Sequence, residues 1–147
     1  MRTTHEELQI ILEQHKRFLS GDPAGKKAIL QDAELYAANL AYANLSHADL
    51  TNTSFKRALL WGINMEGANL NGANMKRAML EDANLKDAQL IGAYLKNANL
   101  NHADLRGANL TNAVLDDATI KNAQFDEKTI WPEDFDPITA GAILSNK

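Results

Sequence analysis

From Leu30 to Phe125 every fifth residue is apolar, without a slip in phase. The 20 centres are 15 Leu, two Phe (Phe55, Phe125), two Met (Met65, Met75) and Ile120. Alanine stands two residues before the centre in 18 of the 20 units, the exceptions being Thr53 and Ile63, and the residue just before the centre is often Asn or Asp. The unit therefore reads Ala-(Asn/Asp)-Leu-x-x. Ala and Leu are strong helix formers, but a helix cannot use this spacing. At about 3.6 residues per turn a five-residue step rotates by about 140°, and the leucines would scatter around the axis. An unbroken strand fails as well, because Ala and Leu two apart share a face while the next Ala, three residues on, would point the other way. One turn per unit restores the parity. The last position of the unit supplies it: of the 20 residues from Asp32 to Glu127, 13 are Gly, Asn or Asp. These types tolerate the positive φ required at the third residue of a type II turn. The rest, Tyr42, Arg57 and Arg77 among them, predict a mixture of turn types. The chain bends once per unit with Ala and Leu on the inside and winds into an all-β solenoid.

An unbroken Ala-(Asn/Asp)-Leu-x-x array over residues 28–127 resembles the pentapeptide-repeat proteins, a family abundant in cyanobacteria. The resemblance implies a right-handed β-helix of square cross-section with four pentapeptides per coil, and hence about five coils stacked at roughly 4.8 Å. Partial identity at a twenty-residue spacing agrees with it: Lys56-Arg57 recurs as Lys76-Arg77, and Asn44, Asn64 and Asn84 align. Ile63 in place of Ala is expected to swell the second coil locally.

An open solenoid end exposes backbone and core, so both ends need cover. Residues 1–27 read as a capping helix and loop. Thr4-His5-Glu6-Glu7 matches a capping box, Leu8, Ile11, Leu12, His15, Phe18 and Leu19 form one helical stripe, and Ser20-Gly21-Asp22-Pro23 ends it. Residues 128–147 read as a C-terminal cap. There Ile130, Trp131 and Phe135 offer bulky apolar cover, and Asp136-Pro137 starts a short helical segment through Ile138 and Ile143.

Composition narrows the chemistry. The 147 residues suit one domain, and a net charge of −4 neither demands nor excludes a nucleic-acid partner. No stretch of 18 apolar residues offers a membrane span, and the N-terminus lacks a secretory apolar region, so a cytoplasmic protein is expected. Without cysteine there are no disulfides, thiolate nucleophiles or Cys-based metal sites. His5, His15, His47 and His102 do not converge and read as solvated or capping residues. The stretch Gly21-Asp22-Pro23-Ala24-Gly25-Lys26-Lys27 has three residues between glycines and no Ser or Thr after the lysine, so it is not a phosphate loop. No serine sits in a nucleophile elbow and the carboxylates are spread along the rod. Neither an enzyme nor a metal or cofactor site is expected.

With four units per coil, two surface patches emerge. Lys56, Arg57, Lys76, Arg77 and Lys96 stack on one side as a candidate contact for an anionic partner, and Leu59, Trp61 and Met79 point outward as a candidate protein contact. The expected function is a non-enzymatic scaffold that meets an unidentified protein partner, as monomer or homodimer, without direct nucleic-acid or membrane binding. The resemblance also implies an alternative, since quinolone-resistance members of the family mimic duplex DNA and bind DNA gyrase. A mimic needs an acidic surface, whereas Lys56 to Arg106 hold seven bases against the five acids Glu66, Glu81, Asp82, Asp87 and Asp104. The interior position of the leucines is directly testable: Leu80→Ala should cost about 2–5 kcal/mol in a denaturant titration, and a shift near zero would contradict a packed centre.

Overall fold

The computed structural model describes residues 2–145, and their organisation follows from one register. Parallel bridges link Asn39 to Leu59, Leu59 to Met79, Met79 to Asn99 and Asn99 to Thr119, each twenty residues on. Four five-residue units thus bring the chain back above itself. Within the stack four of a unit's five amides bond to backbone and the fifth to the unit's own polar side chain, as the units around Leu40 and Leu70 together illustrate. The central N–H donates to the next coil (Leu40 to Leu59 O, 2.9 Å), as does the last one (Tyr42 to Trp61 O, 2.8 Å), while the Ala N–H closes the turn (Ala43 to Leu40 O, 3.1 Å). The residue before the centre donates backward (Asn69 to Ala48 O, 3.0 Å), and its side chain takes the remaining amide, with Asn71 N–H donating to Asn69 Oδ1 at 3.0 Å. The same side-chain bond recurs at Asn39, Asn44, Asp49, Asn64, Asn74, Asn84, Asn99, Asp104 and Asn109. Here lies the reason for Asn or Asp before the leucine: a short side chain with an acceptor oxygen stands in where the ladder offers none.

The corners are uniform. Every last position from Asp32 to Asn122 has positive φ, between 55° and 71°, including Ala37, Tyr42, Arg57 and Arg77. The expected mixture of turn types is not found, because ladder bonds on either side of each corner hold its backbone whatever the residue; the left-handed conformation costs a non-glycine about 1–2 kcal/mol. Positive φ at the third turn residue alone is the type II pattern.

The Leu centres and their alanines form one continuous core, from Leu30 and Ala33 to Ala123 and Phe125. Ile63 is fully buried and the expected swelling is slight: its turn bond to Leu60 O measures 3.2 Å, against 2.9–3.1 Å where alanine holds the position. Thr53, the other exception, shows the same 3.2 Å and turns its buried hydroxyl to Leu30 O at 2.7 Å. The ladder bond from Asn84 N–H to Ile63 O keeps 2.9 Å, so the strain stays within the turn.

Helix α1 spans His5–Leu19 and begins with the reciprocal pair expected from its sequence, Glu7 N–H to Thr4 Oγ1 (3.1 Å) and Thr4 N–H to Glu7 Oε1 (3.2 Å). It lies against the first coil, with Leu8 and His15 buried and Ile11 and Leu12 packed on the core, while Phe18 is exposed on its upper side and stacks on His15. His15 fixes the helix at two points. Ala28 N–H donates to its Nδ1 (2.9 Å), so Nε2 carries the proton and donates to Ser46 O (2.7 Å). Gly21 (φ 85°) ends the helix, with Asp22 N–H bonding Arg17 O at 3.0 Å. Gly25 then crosses the helix so closely that a Cβ there would lie 2.6 Å from Phe18 Cα. The glycines that superficially suggested a phosphate loop thus serve a helix stop and a backbone crossing.

At the other end the chain departs from expectation. Asp126 to Thr129 insert one extra residue, so that Asn109 bridges Ile130, twenty-one residues on. That places Ile130 on the outward position, where it is 50% exposed and covers nothing, while Trp131 and Phe135 pack on the core and Trp131 meets Phe125 edge-on at 5.5 Å. Asp136-Pro137 opens turns, not a helix: Asp136 Oδ1 accepts from Ile138 N–H at 3.0 Å, and Gly141 (φ 99°) stops further winding. Ile143 belongs to strand β2 (Ile143–Leu144), parallel to β1 (Gln124–Phe125), because Ile143 N–H finds Ala123 O at 2.7 Å and extends the ladder.

Two outcomes follow for the helical end. Gly25→Ala forces backbone apart and should lower stability by about 2–3 kcal/mol, read as a denaturant midpoint; a neutral result would place the crossing elsewhere. His15 is held neutral: burial lowers its pKa, helped by nearby His47 and Lys27, although the Ser46 carbonyl pulls the other way. Below about pH 6.5 the unfolded chain binds a proton that the folded chain refuses, so this stabilisation is complete above that pH and is lost as pH falls. The midpoint should drop between pH 8 and pH 5 more in the native protein than in His15→Gln; an equal drop would show that the histidine is not the titrating group.

Candidate functional site

Stacking by twenty turns each outward position into a column. At the corner preceding the Leu60 unit, Arg57 N–H bonds Lys76 O at 2.9 Å, Arg77 N–H bonds Lys96 O at 3.0 Å, and Asn97 N–H bonds Asp116 O at 2.9 Å. The backbones of Lys56, Arg57, Lys76, Arg77 and Lys96 are therefore stacked coil on coil. Arg57 and Arg77 are exposed, while the lysines lay part of their stems on the rod. None of these five takes part in either ion pair formed among the described residues, which join Arg17 to Glu13 and Arg106 to Asp104.

The adjoining flat face carries the apolar candidates. Leu59 and Met79 are bridged neighbours in one column, and Trp61 follows at the next corner. All three are half-buried, packed sideways on a flat surface. Helix α1 does not lie over them: its bonds run to Ala28 and Ser46, and the depression beside it is lined by Leu12, Ala43 and Asn44. The face is extended by Tyr42, 79% exposed, whose ring lies where a Cβ on Gly62 would come within 2.5 Å of its Cε1. Sequence reasoning missed this tyrosine because it treated corner residues as turn formers only; an aromatic twenty residues before a corner glycine was the available signal.

The structure joins the two patches that the sequence kept apart. Lys56-Arg57 lead directly, through buried Ala58, into Leu59 and Trp61, and Lys76-Arg77 lead through buried Ala78 into Met79. A cationic corner thus borders an apolar strip over successive coils. The neighbouring coils bound the strip with polar groups, such as Asn99 Nδ2 donating to Glu81 Oε1 at 3.0 Å. Elsewhere, Arg106 clasps Asp104 (2.6 and 2.9 Å); burial raises that carboxyl's pKa, yet the guanidinium outweighs it and the net direction is down. His47 and His102 sit at exposed corners and His5 at the start of α1. Among the described residues no cluster of His, Asp or Glu has the arrangement of a metal site.

Comparison with known proteins places this architecture. The profile of the pentapeptide repeats matches eight times, over residues 26–57, 51–87, 60–97 and 93–127. The chain belongs to the pentapeptide-repeat family. Its coil is accordingly a right-handed β-helix. The chain is similar to HetL, a pentapeptide repeat protein involved in heterocyst differentiation regulation in the cyanobacterium Nostoc sp. strain PCC 7120, at 29% identity and a TM-score of 0.51, over 84% of this chain and 53% of HetL. It therefore spans about half of that relative. Rfr23 of Cyanothece 51142 is 36% identical over 76% of this chain and 69% of its own, with a TM-score of 0.42. QnrB1, a plasmid-mediated fluoroquinolone resistance protein, shares 19% identity over 82% of this chain and 79% of its own at a TM-score of 0.43, a likeness of fold alone. No curated protein matches the chain closely enough to count as a relative.

Proposed function

We propose that this pentapeptide-repeat chain is a non-enzymatic scaffold whose cationic corner and adjoining apolar strip dock a protein partner. In this reading residues 28–127 form about five coils, with residues 1–27 and 128–147 closing the two ends, and the molecule works in the cytoplasm. The single observation that carries the proposal is contiguity: Leu59, Trp61 and Met79 lie beside Lys56, Arg57, Lys76, Arg77 and Lys96 on a surface that α1 leaves uncovered. Interfaces are enriched in aromatic residues, Met and Arg, and flanking charge steers the encounter of oppositely charged surfaces. A rigid backbone adds to this, because side chains already ordered lose less entropy on docking. No helix among the described residues is long and apolar enough to cross a membrane.

DNA mimicry directed at gyrase ranks second. A duplex mimic has to present negative charge along its length, and the middle of this rod presents five cations on one corner.

A capture experiment separates the readings. The native protein and a Leu59→Ser, Trp61→Ser, Met79→Ser variant are immobilised and exposed to lysate, with purified gyrase subunits in parallel. The variant should keep its far-ultraviolet circular dichroism and lose at least tenfold of the bound partner. Equal retention by both would remove the apolar strip from the contact, and equal retention of gyrase would shift the reading to mimicry.

A further inference from the structure

The cationic corner does not stay cationic. Followed toward the C-terminus the same column runs Lys56-Arg57, Lys76-Arg77, Lys96-Asn97 and then Asp116-Asp117, each pair one coil above the last through the corner bonds already described. Beyond it, Glu133 and Asp134 line one depression with Asp116, and both are exposed. One edge of the rod is therefore positive for three coils and negative at its end. Although Lys96 and Asp116 sit on adjacent levels, no ion pair within the described residues joins any charge on this edge to another. Both signs are left open to a partner.

We infer that a second copy of this chain pairs with this edge, side by side and antiparallel about a two-fold axis at the level of Lys96-Asn97. This inference rests on the reading of the corner as a contact surface and names what meets it. In an isologous contact, residue i of one copy faces residue j of the other and the reverse also holds. With the axis at Lys96-Asn97, one level up in the first copy meets one level down in the second. Lys76-Arg77 then face Asp116-Asp117 twice over, and Lys56-Arg57 face the Glu133-Asp134 tail. The four levels from Lys56-Arg57 to Asp116-Asp117, about 4.8 Å apart, match by construction, since both copies share one coil rise. The two Lys96 side chains flank the axis and reach to the partner's Asp116, one level away. A displacement by one level one way sets Lys76-Arg77 against Lys96, and one level the other way leaves Lys56-Arg57 with no acid opposite, so this register pairs the most opposite charges. Exposed pairs of this kind are individually weak, and the pairing depends on several acting together at low ionic strength.

Charge reversal tests it. One variant carries Lys76→Glu with Arg77→Glu, the other Asp116→Lys with Asp117→Arg; the corner at 117 has φ 59°, the same as Arg77, so the backbone accepts arginine there. Sedimentation velocity at about 20 mM salt should show a dimer for the native protein that dissociates by about 500 mM, where the Debye length falls to roughly 4 Å. Each variant alone should be monomeric. Mixing the two, or combining all four changes in one chain, should restore the dimer, a rescue that misfolding cannot produce. A native monomer at low salt, or a dimer that survives both reversals, would overturn the pairing. The docking proposal is judged separately, by capture in about 500 mM salt: a native protein that is monomeric even at about 20 mM salt, yet holds its partner there through Leu59, Trp61 and Met79, sinks only the pairing. A salt-sensitive, rescuable dimer whose captured partner ignores the triple serine variant sinks only the docking strip.

Discussion

Everything in this chain depends on the bond between one coil and the next. Asn64 N–H to Ala43 O (2.9 Å) and Leu45 N–H to Asn64 O (2.7 Å) are two of many equivalent contacts, and together they hold Asn64 beside Asn44, twenty positions away. A ladder of this kind leaves little backbone unsatisfied, so the chain can turn every five residues without the penalty that bare amides would exact in a buried wall. It also sets the lateral dimension. Inward positions must alternate between a small and a large side chain, and the fully buried Ala58-Leu60 and Ala78-Leu80 pairs show the result. Where a larger residue takes the small position, as at Ile63, the ladder holds and the turn bond gives by about a tenth of an ångström.

The same ladder explains which features could be read from the sequence. The interior was legible because its period is five and strict, and neither helix nor flat strand can use that period. The capping box of α1 was legible because it is a local exchange between Thr4 and Glu7. The corners were misread where local preference and the ladder disagree: Tyr42 and Arg57 suggest other turns by type, yet both hold φ near 60°. The asparagines were seen as a motif without their task, since the bond that Asn71 N–H donates to Asn69 Oδ1 becomes necessary only once the other amides are committed elsewhere on the backbone. Ile130 and Ile143 were misassigned for a positional reason. The extra residue between Asp126 and Thr129 shifts the phase, after which apolar character no longer marks the inside, and Ile143 continues the ladder in place of lying in a helix begun at Asp136-Pro137.

The surface was legible in one direction and opaque in the other. A twenty-residue repeat is enough to stack Lys56 on Lys76 and Leu59 on Met79. Adjacency across a corner needs to be seen in space, because Ala58 and Ala78 turn inward and bring the residues on either side into neighbouring columns. The reach of α1 was likewise not written in its hydrophobic stripe. Its location depends on His15, a member of that stripe whose two ring nitrogens tie the helix to Ala28 and Ser46.

A solenoid of this kind converts sequence into an ordered surface. In a globular domain two residues twenty apart have no fixed relation, whereas here they are neighbours on one column. Substitutions at that spacing write a linear pattern of charge or apolar area on a rigid support. The core constrains the Ala and Leu positions, and the Asn/Asp position has a backbone amide to serve, which leaves the two corner residues of each unit freest to vary. On this chain those residues carry Lys56-Arg57, Trp61, Lys76-Arg77, Lys96 and Asp116-Asp117. Charges placed there find solvent at the rod surface, and the ladder holds the left-handed corner against the cost that a non-glycine residue brings to it. If the proposed docking role holds, recognition resides in the order of side chains along a column more than in any pocket, and a change of partner requires only a change in that order.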